Sequence, residues 1–226
     1  MRNQSKHHLR KVSTRDFAYT EIKKMIITGE LAPDRPIVED RLATQLEISR
    51  TQLREALQRL EIEDLVVRQQ NGRLKVAPIS VQEVKEIFNV RSKLEEIVIL
   101  QAIYHATEDD IRHLANLTLM IRETYRQKNI EDILYYGNKF HQYLYDLSQN
   151  KTVVNILSQL NDHISRYRRL IPIQRLTRFK DSVEEHEHIL QCIKDKDKDG
   201  AVKAMQAHIM NSLEAAIESV KHETNT

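Results

Sequence analysis

Residues 48–61, ISRTQLREALQRLE, decide how the rest of the chain is read. Ser49 with Gln52 three residues later is a capping-box pattern. The hydroxyl accepts from a backbone N–H of the first helical turn, and the Gln side chain reaches back to the cap. Leu53, Leu57 and Leu60 then continue one helical face, while Arg50, Thr51, Gln52 and Arg54 crowd the first turn. Such a helix either packs into a bundle with a solvated basic end or offers that end to DNA. For the helix alone the solvated face is the commoner reading, so its neighbours must decide.

Upstream, RDFAYTEIKKMIITGEL places Phe17, Ile22, Met25 and Ile26 along one helical face, with Gly29 as a fitting stop. The loop APDRP leads to IVEDRLATQLEI, whose Val38, Leu42 and Leu46 form the stripe of a short helix. Only Glu47–Ser49 separate it from the quoted helix. Downstream the period shortens. Leu65–Arg68 and Leu74–Ala77 read as extended runs around Asn71-Gly72, a hairpin signal because both residues tolerate positive φ. Three short helices and a hairpin make a winged helix-turn-helix, whose third helix is anchored by its apolar side and directs its N-terminal residues into the major groove. Arg can bond guanine O6/N7 and Gln can pair with adenine, and the helix N-terminus favours phosphate. Arg68, Arg73 and Lys75 add positive charge to the hairpin. The combination points to DNA binding.

The chain has 226 residues, 40% hydrophobic and 30% charged, a globular balance. Four Gly and four Pro are too few for an all-β sandwich. The net charge of +2 hides an asymmetry: residues 1–77 hold fifteen Lys+Arg against eleven Asp+Glu, the remainder twenty against twenty-two. Positive charge at one end suits a polyanionic partner. Cys192 stands alone, which excludes an intramolecular disulfide and points to a reducing compartment, the cytoplasm. No apolar run approaches the ~20 residues that span a bilayer, so no membrane partner is expected. The first twelve residues lack periodicity and acid and read as a flexible basic tail. The expected organisation is tail 1–12, winged helix-turn-helix 13–78, and a helical effector-binding and dimerisation domain 80–226. The fold class is mainly α.

The stretch SRTQLREALQRLEIEDLVVRQQNGRLKV resembles the GntR family of bacterial transcription factors, whose pattern is S-R-T-P-V-R-E-A-L-x-x-L-x-x-x-G-L-V followed by a wing with Gly. Ser49, Arg50, Thr51, Arg54, Glu55, Ala56, Leu57, Leu60, Leu65 and Val66 match. ITGELAPDRPIVEDRLATQLEIS fits the upstream pattern G-x-L-x-P-G…L…E…L-A-x-x-L-G-V-S through Gly29, Leu31, Pro33, Leu42, Ala43, Leu46 and Ser49. Gln52 replaces the usual Pro, Arg35 the Gly after the loop proline, and Asp64 the Gly before the wing. The resemblance implies major-groove contacts from Arg50, Thr51 and Arg54, with Gln52 tuning operator preference. It also implies wing-tip contacts from Gln70, Asn71, Gly72 and Arg73.

From Ser80 onward the pattern is helical, with helices expected near 81–106, 108–128, 130–149, 152–170, 174–195 and 198–222. Ser80 with Glu83 and Thr107 with Asp110 mark two starts. Three histidines in mid-helix, each flanked by apolar residues, invite chemistry: His141, His186 and His208. Three imidazoles from different helices suffice for a Zn-type site with open positions, although each alone is more often a satisfied core histidine and their spacing carries no metal signature. Tyr135, Tyr136, Tyr143 and Tyr145 concentrate on one helix as core and interface groups or effector donors. His188 is expected to face outward, and Arg168 is a candidate for the cavity wall.

This half is similar to the FCD ligand-binding domain of FadR-branch GntR regulators, in the six-helix VanR-like form. RSKLEE (Arg91, Leu94, Glu95), FHQYLYDLSQN (Phe140, His141, Asn150), EEHEHIL (Glu185, His186, Ile189, Leu190) and AMQAHI (Ala204, His208, Ile209) carry the likeness. It implies a divalent metal on His141, His186 and His208, with Zn or Ni favoured over Mg or Ca by imidazole ligands. The family's fourth ligand, an Asp or Asn, is Gly137 here, and Asn138 or water is the substitute. The resemblance also sends Arg91 to the cavity to pair with an acidic effector; a surface salt bridge to Glu95 is the alternative. The resulting expectation is a homodimeric, non-enzymatic regulator of a palindromic operator in double-stranded DNA, controlled by a small carboxylate. Its rivals are a metal-independent FadR-like regulator binding a larger acyl ligand and, further off, a metal-dependent hydrolase.

Overall fold

Apolar side chains gather into two separate cores, and the chain divides accordingly into two units, Met1–Pro78 and Ile79–Thr226. The computed structural model describes residues 14–168 and 176–224. The tail expected over 1–12, the junction expected near 170–174 and the Arg168 side chain lie outside the described residues. Among the described residues the fold is mainly α, with one two-stranded sheet.

The first unit runs α1 (Thr14–Thr28), α2 (Glu39–Gln45), α3 (Arg50–Ile62), β1 (Val66–Arg68) and β2 (Leu74–Val76). Its core is built from Ile22 and Ile26 of α1 against Leu53, Leu57 and Leu60 of α3, closed by Val76 of the hairpin. Tyr19 clamps the same two helices. Its hydroxyl donates to Glu63 at 2.7 Å, and the Arg59 guanidinium stacks 3.8 Å from its ring centroid.

Two expected core residues are corrected. Phe17 is 42% exposed, because the buried stripe of α1 starts at Ala18 and adjacent helical residues point about 100° apart. Val38 is 59% exposed, because it precedes α2 in extended backbone and does not share the helix's face.

The strands pair antiparallel with Val66 opposite Val76 and Arg68 opposite Leu74. The expected hairpin forms around Asn71-Gly72, and of the two only Gly72 has positive φ (80°). Gly72 N–H donates to Gln69 O and Gln69 N–H to Arg73 O, both at 2.8 Å, while Asn71 Oδ1 accepts from Arg73 N–H. This is a three-residue loop with one left-handed glycine. The loop after α1 also joins the sheet edge. Pro36 bridges Lys75 and Ile37 N–H donates to Leu74 O, an edge placement that spares proline its missing donor.

Three acidic residues adopt left-handed backbone: Asp34 (φ 62°), Glu47 (φ 54°) and Asp64 (φ 55°). Asp64 is where the GntR pattern carries Gly. The Gly that follows the loop proline in the pattern falls at Asp34, directly after Pro33, rather than at Arg35, and Glu47 occupies the Gly of L-G-V-S. All three turns need a conformation that Gly adopts without steric cost.

The second unit comprises α4 (Val81–His105), α5 (Glu108–Arg126), α6 (Ile130–Ser148), α7 (Lys151–Arg168), α8 (Leu176–Lys194) and α9 (Lys198–Thr224). Ser80, Thr107, Asn129 and Asn150 each accept a backbone N–H of the following first turn. Left-handed Lys128, Gln149 and Lys196 follow α5, α6 and α8. α4 packs on α6, α7 and α9, while α8 packs on α5 and α9. This arrangement brings facing positions of α6, α8 and α9 together in the core.

Candidate functional site

His141 on α6, His186 on α8 and His208 on α9 are buried, and one ligating nitrogen from each lies within 4.8 Å of the other two. His141 Nε2 is 3.1 Å from His208 Nε2. Nitrogens bound to one Zn²⁺ at 2.0–2.1 Å stand about 3 Å apart, so this spacing already suits a shared ion.

The opposite ring nitrogens face acceptors. His186 Nδ1–H donates to Ser182 O at 2.6 Å, and His208 Nδ1–H to Glu185 Oε2 at 2.6 Å. His141 Nδ1 lies 3.6 Å from Glu95, too far for a hydrogen bond, and has no such partner among the described residues. Partners of this kind fix tautomer and ring orientation in metal sites. His186 Nε2 is buried with no hydrogen-bond partner among the described residues, an orphan that a cation would satisfy. The donor set therefore fits a transition metal.

Burial pushes the His186 imidazole down to about 3, and His141 and His208 down to about 4 despite Glu95 and Glu185 beside them. All three are neutral at pH 7 and offer lone pairs. Glu185 behaves oppositely. Burial opposes its charge, but His208, Asn211 and Arg178 hold its carboxyl at about 2. Glu95 is likewise kept ionised against burial by His141, Arg91 and Tyr145.

A cavity of about 60 Å³ opens beside the histidines, lined among others by Gly137, Asn138, Arg178, Ser182 and Ser212. A Cβ at Gly137 would sit 3.8 Å from His186 Nε2, so the glycine leaves this wall open. Asn138 is exposed and borders the same cavity. Arg91 is not among the lining residues. It is buried and bonds Glu95 at 3.2 Å, so the pair exists but not on the surface, and Arg91 lies close enough to His141 and His208 for its charge to disfavour their protonation.

The cation on the cavity wall is Arg178, which sequence reasoning missed. It clasps Glu185 through two bonds of 3.0 and 3.1 Å and donates to Ser212. The only sequence hint is its seven-residue, same-face spacing from Glu185. The tyrosines of α6 diverge: Tyr145 donates to Glu95, Tyr143 to Asp110, and Tyr135 is exposed. His188 is exposed.

In the first unit, the capping box at Ser49 and Gln52 is formed. Arg50, Thr51 and Arg54 are exposed on α3, opposite buried Leu53, Leu57 and Leu60. Gln70, Asn71, Gly72 and Arg73 are exposed at the wing tip. Gln52 departs from expectation: its Oε1 accepts from both Ser49 N–H and Ser49 Oγ–H at 2.9 Å. A bidentate pairing with adenine needs that oxygen as well as the amide N–H, so it would require opening the cap. Arg54 pairs with Glu39 and Arg50 with Asp40, contacts that no spacing signal indicated.

An exposed, N-capped third helix beside a short β-wing defines a DNA-binding protein of the winged helix-turn-helix class. Residues 14–76 match the model of bacterial regulatory proteins of the gntR family, and residues 86–211 match the FCD domain. The chain belongs to the gntR family and is a DNA-binding transcriptional regulator of the type that carries an FCD domain. It is 30% identical to the HTH-type transcriptional regulator YdhC of Bacillus subtilis over 200 residues, 87% of this chain and 88% of that one. It is 28% identical to the Nta operon transcriptional regulator of Aminobacter aminovorans, over 87% and 91% of the two chains. The solved structure of E. coli McbR/YncC shares the fold, with a TM-score of 0.74 at 21% identity over 94% of this chain and 99% of that one. No described helix is long and apolar enough to cross a membrane.

Proposed function

We propose that this regulator is a homodimer whose operator affinity is set by a small carboxylate bound beside a Zn or Ni ion on His141, His186 and His208. The observation that carries this reading is the burial of three neutral imidazoles around an unpartnered His186 Nε2. When bound, the ion supplies fixed positive charge with positions open to an anionic oxygen. The Ser182 carbonyl and Glu185 orient the rings of His186 and His208. Gly137 keeps one wall clear, Asn138 and Ser212 offer hydrogen bonds, and Arg178, its charge offset by Glu185, borders the same cavity.

Cavity size favours a small acid. At about 60 Å³, on a scale where one water takes ~10–15 Å³, the space next to the histidines suits a carboxylate and little more. Among the described residues no carboxylate lines the cavity, so nothing there favours hydrolysis. Glu184 pairs with Lys180, Glu187 with Arg122, and Glu185 is held by Arg178 and His208.

Arg50, Thr51 and Arg54 read the major groove, with Gln52 at the cap and residues 70–73 on the adjacent backbone or minor groove. Two such helices address half-sites of a palindrome about one helical turn apart. A coupling energy of ~1–3 kcal/mol between effector and DNA suffices for a 5–150-fold response. Two measurements on tag-free protein test the proposal: elemental analysis, and selection of operators from random DNA with and without added carboxylates. About one transition metal per chain and a carboxylate-dependent shift in operator affinity are expected. Metal-free protein with carboxylate-independent binding refutes it.

A further inference from the structure

The winged helix-turn-helix is electrically neutral. Residues 13–78 hold eleven Lys+Arg and eleven Asp+Glu, so the positive surplus over 1–77 comes wholly from residues 1–12. Both arginines in the first turn of α3, and Arg68 on the hairpin, are paired with carboxylates. Arg50 Nη2 lies 3.0 Å from Asp40, Arg54 Nε 2.9 Å from Glu39, and Arg68 Nη2 2.7 Å from Glu61. Arg50 and Asp40 are both 70% exposed. An ion pair this open adds little to folding, so its consequence lies in what approaches it.

A phosphate nearing Arg50 or Arg54 meets a carboxylate about 3 Å from the guanidinium, and the repulsion offsets the attraction whatever the sequence. A guanine edge is different. It carries no net charge and bonds Arg through O6 and N7, so the carboxylate repels it far less than it repels a phosphate. A cytosine amino group can even donate to that carboxylate.

We propose that Glu39 and Asp40 are specificity-determining residues. Paired with Arg54 and Arg50, they suppress phosphate-driven binding to arbitrary duplex and leave base-edge contacts to carry affinity. The inference rests on the reading that the first turn of α3 faces DNA.

The test uses the full chain carrying Glu39→Gln and Asp40→Asn, singly and together. Binding is measured by fluorescence anisotropy between 50 and 200 mM salt. The two probes are the duplex selected by the unmodified chain and a random-sequence duplex of equal length. The double variant is expected to bind random duplex on the order of tenfold tighter at low salt, with a log–log salt slope steeper by about one to two. Its selected-to-random affinity ratio should fall several-fold, with each single variant giving part of the change. A ratio that is unchanged or higher overturns the proposal. Arg54→Ala separates the two levels of the argument. If it keeps full operator preference, the DNA-facing assignment of α3 itself fails. If it loses preference while the acid variants keep theirs, only the role of Glu39 and Asp40 is lost. Asp40 is exposed and Glu39 half-buried, and far-UV circular dichroism of each variant verifies the fold.

Discussion

His208 Nδ1 lies 2.6 Å from Glu185 Oε2, and the same carboxylate is clasped by both terminal nitrogens of Arg178. The contact orients His208 so that its other nitrogen meets that of His141. Glu185→Gln weakens the acceptor and breaks the Arg178 clasp. Zn²⁺ affinity is expected to fall on the order of 10–100-fold, read by titration against a competing chelator. Undiminished affinity places ring orientation elsewhere.

His186 contributes the orphaned nitrogen. Zn²⁺ at a hundredfold excess over Kd should stabilise the unmodified protein by about 2.7 kcal/mol, visible as a higher Tm. His186→Ala is expected to abolish the shift, and chelation of the unmodified protein should reverse it.

Gly137→Asp places a carboxylate next to His186 Nε2, where a Cβ fits at 3.8 Å without a clash. Metal affinity is expected to rise about tenfold or more, while the carboxylate effect on DNA binding shrinks because the open wall is filled. Calorimetry of Zn²⁺ binding checks the first part and operator titration the second. A simultaneous gain in both would refute the open-wall role.

Acid should destabilise the metal-free protein. The three imidazoles titrate near 3 to 4 when folded and near 6.5 when unfolded. The unfolded chain therefore binds more protons between these values. Their stabilising contribution is complete above about pH 6.5 and is lost as pH falls below it, by roughly 1 kcal/mol per histidine at pH 5.5. Melting of chelated protein from pH 7.5 to 5.5 should show the decline, and a shallower one in His186→Ala. A flat profile contradicts the buried neutral state.

Glu47 and Asp64 hold left-handed backbone with φ of 54° and 55°. Glu47→Gly and Asp64→Gly remove the Cβ clash and should each stabilise the winged helix by about 0.5–1 kcal/mol, less the entropy that glycine loses on folding. Slower amide exchange in α1 and α3 of the full chain is the readout. Faster exchange would mean that the acidic side chains stabilise these turns by more than the strain costs.

What the sequence determined by itself is local. The capping boxes at Ser49–Gln52 and Thr107–Asp110 formed, as did the left-handed stop at Gly29. The six helices after residue 80 also stand near their expected bounds wherever those fall on described residues, because helix starts and apolar periodicity depend on neighbours within one or two turns. Resemblance to the GntR and FCD patterns grouped His141, His186 and His208, which no spacing could have done. Tertiary structure decided the rest. It chose Ala18 over Phe17 for the core, since the packed face of α1 is set by α3 rather than by hydrophobicity alone. It put Arg178 on the cavity wall and Arg91 behind Glu95, and it seated Asp40 and Glu39 against Arg50 and Arg54. Each of these contacts joins side chains whose approach depends on how helices pack or turn. Charge and hydrogen bonding act over a few ångströms in space, and distance along the chain does not record that proximity.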